Sequence, residues 1–204
     1  MPKTPAQNKA IREKRRNEIM NAALILFSKH GFDNVSVSSI NKKAKISHGL
    51  FYHYFENKQD VLFAILRNES QTNLALQKII ELAKTSPYEG VSELTIFISK
   101  GLANKKDNLF PHEINLFLSI SEQKTLQKLS KRGKRSKYEE FNEIIAYGQQ
   151  LGEFRSDILS YDLALIYGNY IKGLVRSRIY GGAKSFKAPS AESLMKLLES
   201  RGLC

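Results

Sequence analysis

An all-α fold is predicted, and three observations predict it. Apolar residues recur at helical period along nearly the whole chain, and Gly, Pro and Ser break the pattern at short intervals. The two strand-like stretches, Val35–Ser38 and Leu94–Ile98, lie inside or beside segments that fit a helical period as well, so neither is read as a strand. About nine helices are expected, in two domains: a three-helix domain over residues 1–56 and a larger helical domain over residues 57–204.

The first helix is expected from about Lys9 to Lys29, because Ile19, Ala22, Ala23, Leu26 and Phe27 make one apolar stripe. His30-Gly31 closes it, with Gly31 suited to a left-handed cap position. Ser36 is read as the N-cap of a second helix that buries Val37, Ile40 and Ala44, and Ser47 as the cap of a third with Phe51 and Phe55 inward. A long helix is expected from Asn57 toward Ser86-Pro87, with Asn57 as cap, Asp60 in the first turn and Val61, Leu62, Ile65 and Leu66 packing back on the small domain. Further helices are expected near 88–104, 111–121 with Pro111 first, 124–151, 160–180 and 190–202.

Composition narrows the function. The net charge of +12 points to a polyanionic partner, and residues 1–60 carry 11 Lys/Arg against 5 Asp/Glu, which makes them the more densely positive segment. The longest apolar run, Ala22–Phe27, is far shorter than the ~20 residues of a membrane span, and no secretory signal follows the basic start, so a cytoplasmic protein without membrane contact is expected. The single cysteine, Cys204, allows neither an intrachain disulfide nor a thiolate-rich metal site, and it is read as a spectator. His30, His48, His53 and His112 lack metal-ligand spacing, and no phosphate loop, HExxH or GxSxG occurs. No catalysis, metal or cofactor is expected.

A helix-turn-helix lays its second helix in the DNA major groove while the first braces it, so its inner face must be apolar and its outer face small, donor-rich or aromatic. The stretch Ser47–Phe55 fits: Phe51 and Phe55 point inward, leaving His48, Gly49, Leu50, Tyr52 and His53 outward. The residues Gly31-Phe32, Ser36-Val37, Ile40, Ala44, Ile46-Ser47, Gly49, Phe51-Tyr52, Tyr54-Phe55, Asn57-Lys58 and Val61-Leu62 then resemble the signature of the tetracycline-repressor (TetR) family over roughly Arg12–Leu66. Beyond it, only helical character and the turn Gly152-Glu153-Phe154-Arg155 resemble that family. Lys45 stands where the family usually has glycine and Asn41 where it has a small residue, so strain at Lys45 and a need for hydrogen-bond partners at Asn41 are expected.

The resemblance implies a ligand-responsive repressor that binds a palindromic double-stranded operator as a homodimer. Ser36, Tyr52, His53 and Lys58 would contact phosphates and His48, Gly49 and Leu50 base edges, with Ser47 on the same DNA-binding surface. Helical phase also lets Leu50 pack against the first helix instead. Leu163, Tyr167, Tyr170, Leu174, Leu194, Leu197 and Leu198 are the expected dimer seam. Phe97, Phe110, His112, Phe117, Phe141, Tyr147 and Tyr167 are candidates for a pocket taking an apolar or aromatic effector. The basic cluster Lys3, Lys9, Arg12, Lys14, Arg15 and Arg16 is either a DNA contact or a solvated tail, and the run from Lys128 to Lys137 is read as a solvated face. The rival readings are a DNA-binding protein of the same fold that answers to a protein partner or acts architecturally, and a membrane-surface or bundle adaptor.

Overall fold

The computed structural model describes residues 4–68, 70–106, 109–119 and 137–199. Among them lie ten helices and no strand, only an isolated bridge between Phe154 and Glu199. They form two compact units, of which the first ends at Asn68.

The first unit is built from α1 (Pro5–His30), α2 (Val37–Ala44), α3 (His48–Tyr52) and α4 (Lys58–Arg67). Helix α1 starts four residues before the expected Lys9, because a capping box rather than the apolar stripe sets its beginning: Thr4 Oγ1 accepts from the Gln7 amide while the Gln7 side chain accepts from the Thr4 amide. It ends at Gly31, whose φ of 78° only glycine adopts freely, although its ψ of 153° lies outside the left-handed helical region expected for the cap. Ser36, Ser47 and Asn57 cap α2, α3 and α4 as expected, each accepting from an amide of its first turn. The core joins Ile19, Ala23 and Phe27 of α1 to Phe32, Ile40, Phe51, Phe55, Val61 and Leu62. Because α4 buries its apolar stripe here, the unit continues past the domain limit of residue 56 expected from sequence.

The long helix expected from Asn57 to Pro87 is two helices. Helix α4 stops at Arg67, where Asn68 turns extended and its amide bonds to Ile65 O, and α5 (Gln71–Thr85) starts afresh behind Ser70, whose hydroxyl accepts from the Asn73 amide. Periodicity missed the break because a short polar stretch also fits the exposed turn of a continuous helix; the capping serine was the available signal.

The second unit comprises α5, α6 (Pro87–Ala103), α7 (Phe110–Ser119), α8 (Lys137–Gln150), α9 (Ser160–Ser185) and α10 (Ala191–Met195). Helix α5 packs on α6, α8 and α7 on α9, and α10 on α6. Val91, Leu102, Ile145, Leu163 and Val175 lie at the centre of one apolar core. Helix α7 begins at Phe110, so Pro111 is its second residue. The stretch 124–136 of the expected eighth helix, and the basic run within it, lies outside the described residues. Arg178 of α9 is buried against the end of α6, its Nε donating to Leu102 O at 3.1 Å and Nη2 to Asn104 O at 3.3 Å, where a cation complements the helix dipole.

Candidate nucleic-acid interface and inner cavity

Helix α3 is fixed from behind and open in front. Phe51 is 0% and Phe55 2% exposed, and their rings meet at 6.0 Å. On the other side Ser47, His48, Gly49, Tyr52 and His53 are exposed, whereas Leu50 is only half-buried and so is compatible with an apolar contact outward. A methyl group added to Gly49 would meet no atom of the chain within 4 Å, so this position leaves room for close approach of a partner. The Tyr52 ring stands beside His48 with centroids 4.9 Å apart, and the His53 ring meets Tyr54 edge-on at 5.2 Å. Ser36 Oγ accepts from the Ser39 amide at 3.1 Å and Ser47 Oγ from the Leu50 amide at 3.3 Å. Both hydroxyls are thereby positioned at helix N-termini with their protons still available to an acceptor such as a phosphate oxygen.

Lys58 departs from the role expected of it. Its Nζ donates to Phe32 O at 2.9 Å, Asp33 O at 3.2 Å and Val35 O at 2.9 Å, and lies 4.5 Å from the Phe32 ring centroid. An ammonium has three protons, and three carbonyls of the α1–α2 loop take them. The phosphate contact assigned to Lys58 is therefore corrected to an internal tie between the start of α4 and the loop that carries Ser36.

The turn between α2 and α3 bears out both departures from the resembled pattern. Lys45 has φ 55° and ψ 47°, the only non-glycine residue at positive φ among those described. The Ile46 amide bonds to Asn41 O at 3.0 Å and the Lys45 amide to Lys42 O at 3.4 Å, a Schellman closure. In that closure the residue at the Asn41 position commonly makes an apolar contact with the one at Ile46. Here an amide occupies it: Asn41 is buried, and neither Oδ1 nor Nδ2 meets a partner.

The second unit holds a partly open cavity of about 100 Å³. Of the seven pocket candidates, Phe117, Phe141 and Tyr167 line it; Phe97, Phe110, His112 and Tyr147 do not. Phe110 is core and pairs edge-on with Phe97 at 5.4 Å, His112 is buried elsewhere, and Tyr147 faces solvent. The wall is mostly aliphatic, with Leu76, Ile80, Leu94, Ile98 and Ile114, residues that a search for aromatics passes over. Its polar part comes from Tyr138, Glu140 and Lys172. Lys172 donates to the Tyr138 hydroxyl, which in turn donates to Asn169 Oδ1 at 3.1 Å, and Gly168 admits the Tyr138 ring, which a Cβ there would meet at 2.9 Å. Lys172, like Arg178, was legible as a cation beside the apolar face of α9. Tyr167 stacks on Phe141 at 5.1 Å and hydrogen-bonds Thr95 Oγ1 at 2.7 Å; since Thr95 donates to Val91 O at 2.6 Å, Tyr167 is the donor. Burial pushes the Tyr167 phenol well above its ordinary pKa, so it stays neutral.

The expected seam is also redistributed. Leu163, Tyr167, Leu194 and Leu198 are buried within the chain's own core and Leu174 is half-buried, leaving only Tyr170 and Leu197 of that set exposed. The inward face of α9 is Leu163, Tyr167, Ile171 and Val175, a strict four-residue spacing; the outward face carries Leu159, Ile166, Tyr170 and Tyr180. The expected seam was drawn mostly on the stripe that the chain buries in its own core.

A helical bundle unit beside a helix-turn-helix unit is the architecture of a class of DNA-binding transcription regulators. Residues 19–65 match the family described as bacterial regulatory proteins, tetR family. The chain is 43% identical over 60 residues to the HTH-type transcriptional regulator HbdR of Aromatoleum sp. (strain CIB), a match spanning 29% of this chain and 26% of that protein. Its fold is that of the MbdR regulator from Azoarcus sp. CIB (TM-score 0.62, 22% identity, 93% of this chain and 99% of that one). It is also that of SmeT in complex with triclosan (TM-score 0.59, 16% identity, 93% of each chain). The first unit, the reading unit, thus carries the tetR-family match, and the whole chain shares its fold with solved regulators of that kind. No helix among the described residues is long and apolar enough to cross a membrane.

Proposed function

We propose that this regulator is a cytoplasmic repressor that occupies a two-fold operator as a homodimer and leaves it when an apolar ligand enters the cavity of the second unit. The observation that carries the DNA half is the α3 surface, with Ser47, His48, Gly49, Tyr52 and His53 exposed over a buried Phe51–Phe55 backing. Ser36, Tyr52 and His53 serve phosphates, and His48, Gly49 and Leu50 the base edges, of which Leu50 suits a thymine methyl. Half-sites about one helical turn apart require two copies, and the exposed Leu159, Ile166, Tyr170, Tyr180 and Leu197 supply apolar area for pairing.

The ligand half rests on the cavity's apolar wall with a small polar group at Tyr138 and Lys172. That chemistry suits a ring or chain with one acceptor, and the triclosan complex of SmeT makes triclosan a reasonable first probe. The test is selection of host genomic fragments by the purified protein, followed by release assays with triclosan and medium-chain fatty acids. A recovered palindrome whose complex dissociates with one of these supports the proposal. Enrichment of no sequence over bulk DNA would overturn the repressor reading, and an operator complex indifferent to every apolar probe would overturn the ligand half.

A further inference from the structure

Helix α1 begins well before its unit does. From Pro5 to Asn17 every residue is exposed, so more than three turns of helix stand clear of the core that starts at Ile19. This segment is helical because the Thr4–Gln7 box and Pro5 fix its start and because it continues a packed helix, which removes the cost of nucleation. Packing does not hold it.

The charges on it are placed by phase. The buried face of α1 runs through Met20, Ala23 and Phe27, and the same face continued toward the N-terminus holds Arg16, Arg12 and Lys9. Where the helix leaves its core, the inward stripe thus changes from apolar to cationic without changing direction. Arg16 marks the junction: its guanidinium lies 5.0 Å from the ring centroid of Phe55, just beyond α3, and its Nη1 donates to Met20 Sδ at 3.2 Å. The stripe therefore lies on the side of α1 that faces the end of the reading helix. The other faces differ: Arg15 is paired with Glu18 at 2.7 Å, and Lys14 points away from the stripe.

We propose that the free turns of α1 are a second DNA-docking element, in which Lys9 and Arg12 bind backbone phosphates beside the site covered by α3, with Arg16 as the fixed point between the two. The inference rests on the DNA-binding reading of α3. Charge complementarity selects the occupant: a stripe of cations at helical spacing fits a regular line of phosphates, and such contacts carry no sequence information.

The experiment uses the full chain and a 40-base-pair duplex of random sequence, with binding measured against salt concentration. Lys9→Gln/Arg12→Gln should reduce the slope of log K against log salt by about 0.9 for each phosphate no longer neutralised, at an unchanged melting temperature. Lys14→Gln, on the opposite face, should leave the slope as it is, and His53→Ala should weaken binding through α3. An unchanged slope in the double variant while His53→Ala weakens binding overturns the α1 element and leaves the DNA reading intact. An equal loss from Lys14→Gln also overturns it, by reducing the effect to net charge. If the parent protein binds phosphatidylglycerol vesicles but no duplex, both readings fall.

Discussion

Both units bury polar atoms without partners, Asn41 in the first and Ser99 and Asn142 in the second, but they place strain and helix caps differently. In the reading unit an amide, Asn41, is buried with no partner and a lysine, Lys45, is held at positive φ, both within the turn that sets α3. In the helical unit Tyr167 is bonded to Thr95, and Arg178 to the end of α6. The small unit has every helix start closed by a side chain, Thr4, Ser36, Ser47 and Asn57, whereas α6 and α9 of the large unit start with no side-chain cap bond. Local hydrogen bonds thus specify the reading unit, which can carry strain in its turn, and long apolar faces specify the other.

Lys58 gives the largest effect on this comparison. If side-chain hydrogen bonds, here reaching 23 to 26 residues along the chain, hold the reading unit, Lys58→Met, which keeps the aliphatic stem but deletes three charge-assisted bonds, should cost about 2 kcal/mol in urea unfolding, the sum being reduced because the Asp33 carbonyl can turn to water. The salt slope of DNA binding should not change. A preserved unfolding midpoint with a slope lower by about 0.9 would return Lys58 to the phosphates and weaken the contrast between the units.

The contrast also predicts opposite signs for one kind of substitution. Asn41→Ala removes two unsatisfied buried groups and should stabilise by about 1 kcal/mol, after allowance for the smaller side-chain volume. Tyr167→Phe removes a satisfied hydroxyl and should destabilise by about 0.5–1 kcal/mol, at the low end because Thr95 keeps Val91 O as its acceptor. Denaturation of both variants against the parent checks this, and effects of the same sign would dissolve the comparison.

The same difference explains what could be read from the residues alone. Caps, the glycine stop and the aromatic pair Phe51 and Phe55 act within a few residues of themselves, so the reading unit was legible down to Ser36 and Ser47 and to the trouble at Asn41 and Lys45. Lys58 was not, because its partners lie 23 to 26 residues away in a loop. In the second unit, helix existence was legible but not facing: Leu163 and Tyr167 repeat as well as Ile166 and Tyr170 do, and only the packing of α7 and α8 on α9 decides which stripe is inside. The cavity was missed for a related reason, since aliphatic wall residues carry the same periodic signal as core.

The smallest effect sharpens the account of the turn itself. A side chain in the left-handed region costs about 1–2 kcal/mol, while glycine loses about 0.5–1 kcal/mol more than other residues in chain entropy on folding. Lys45→Gly should therefore gain between nothing and about 1.5 kcal/mol. Lys45 is exposed and its side chain makes no bond among the described residues, so nothing else changes in stability. The informative measurement is a pair: stability by urea unfolding and affinity for random duplex DNA. Higher stability with unchanged affinity makes Lys45 a strained spectator. Higher stability with weaker affinity and a lower salt slope makes it a cation kept in the turn for DNA at the expense of the fold, and a loss of stability would show that the turn is not strained at all.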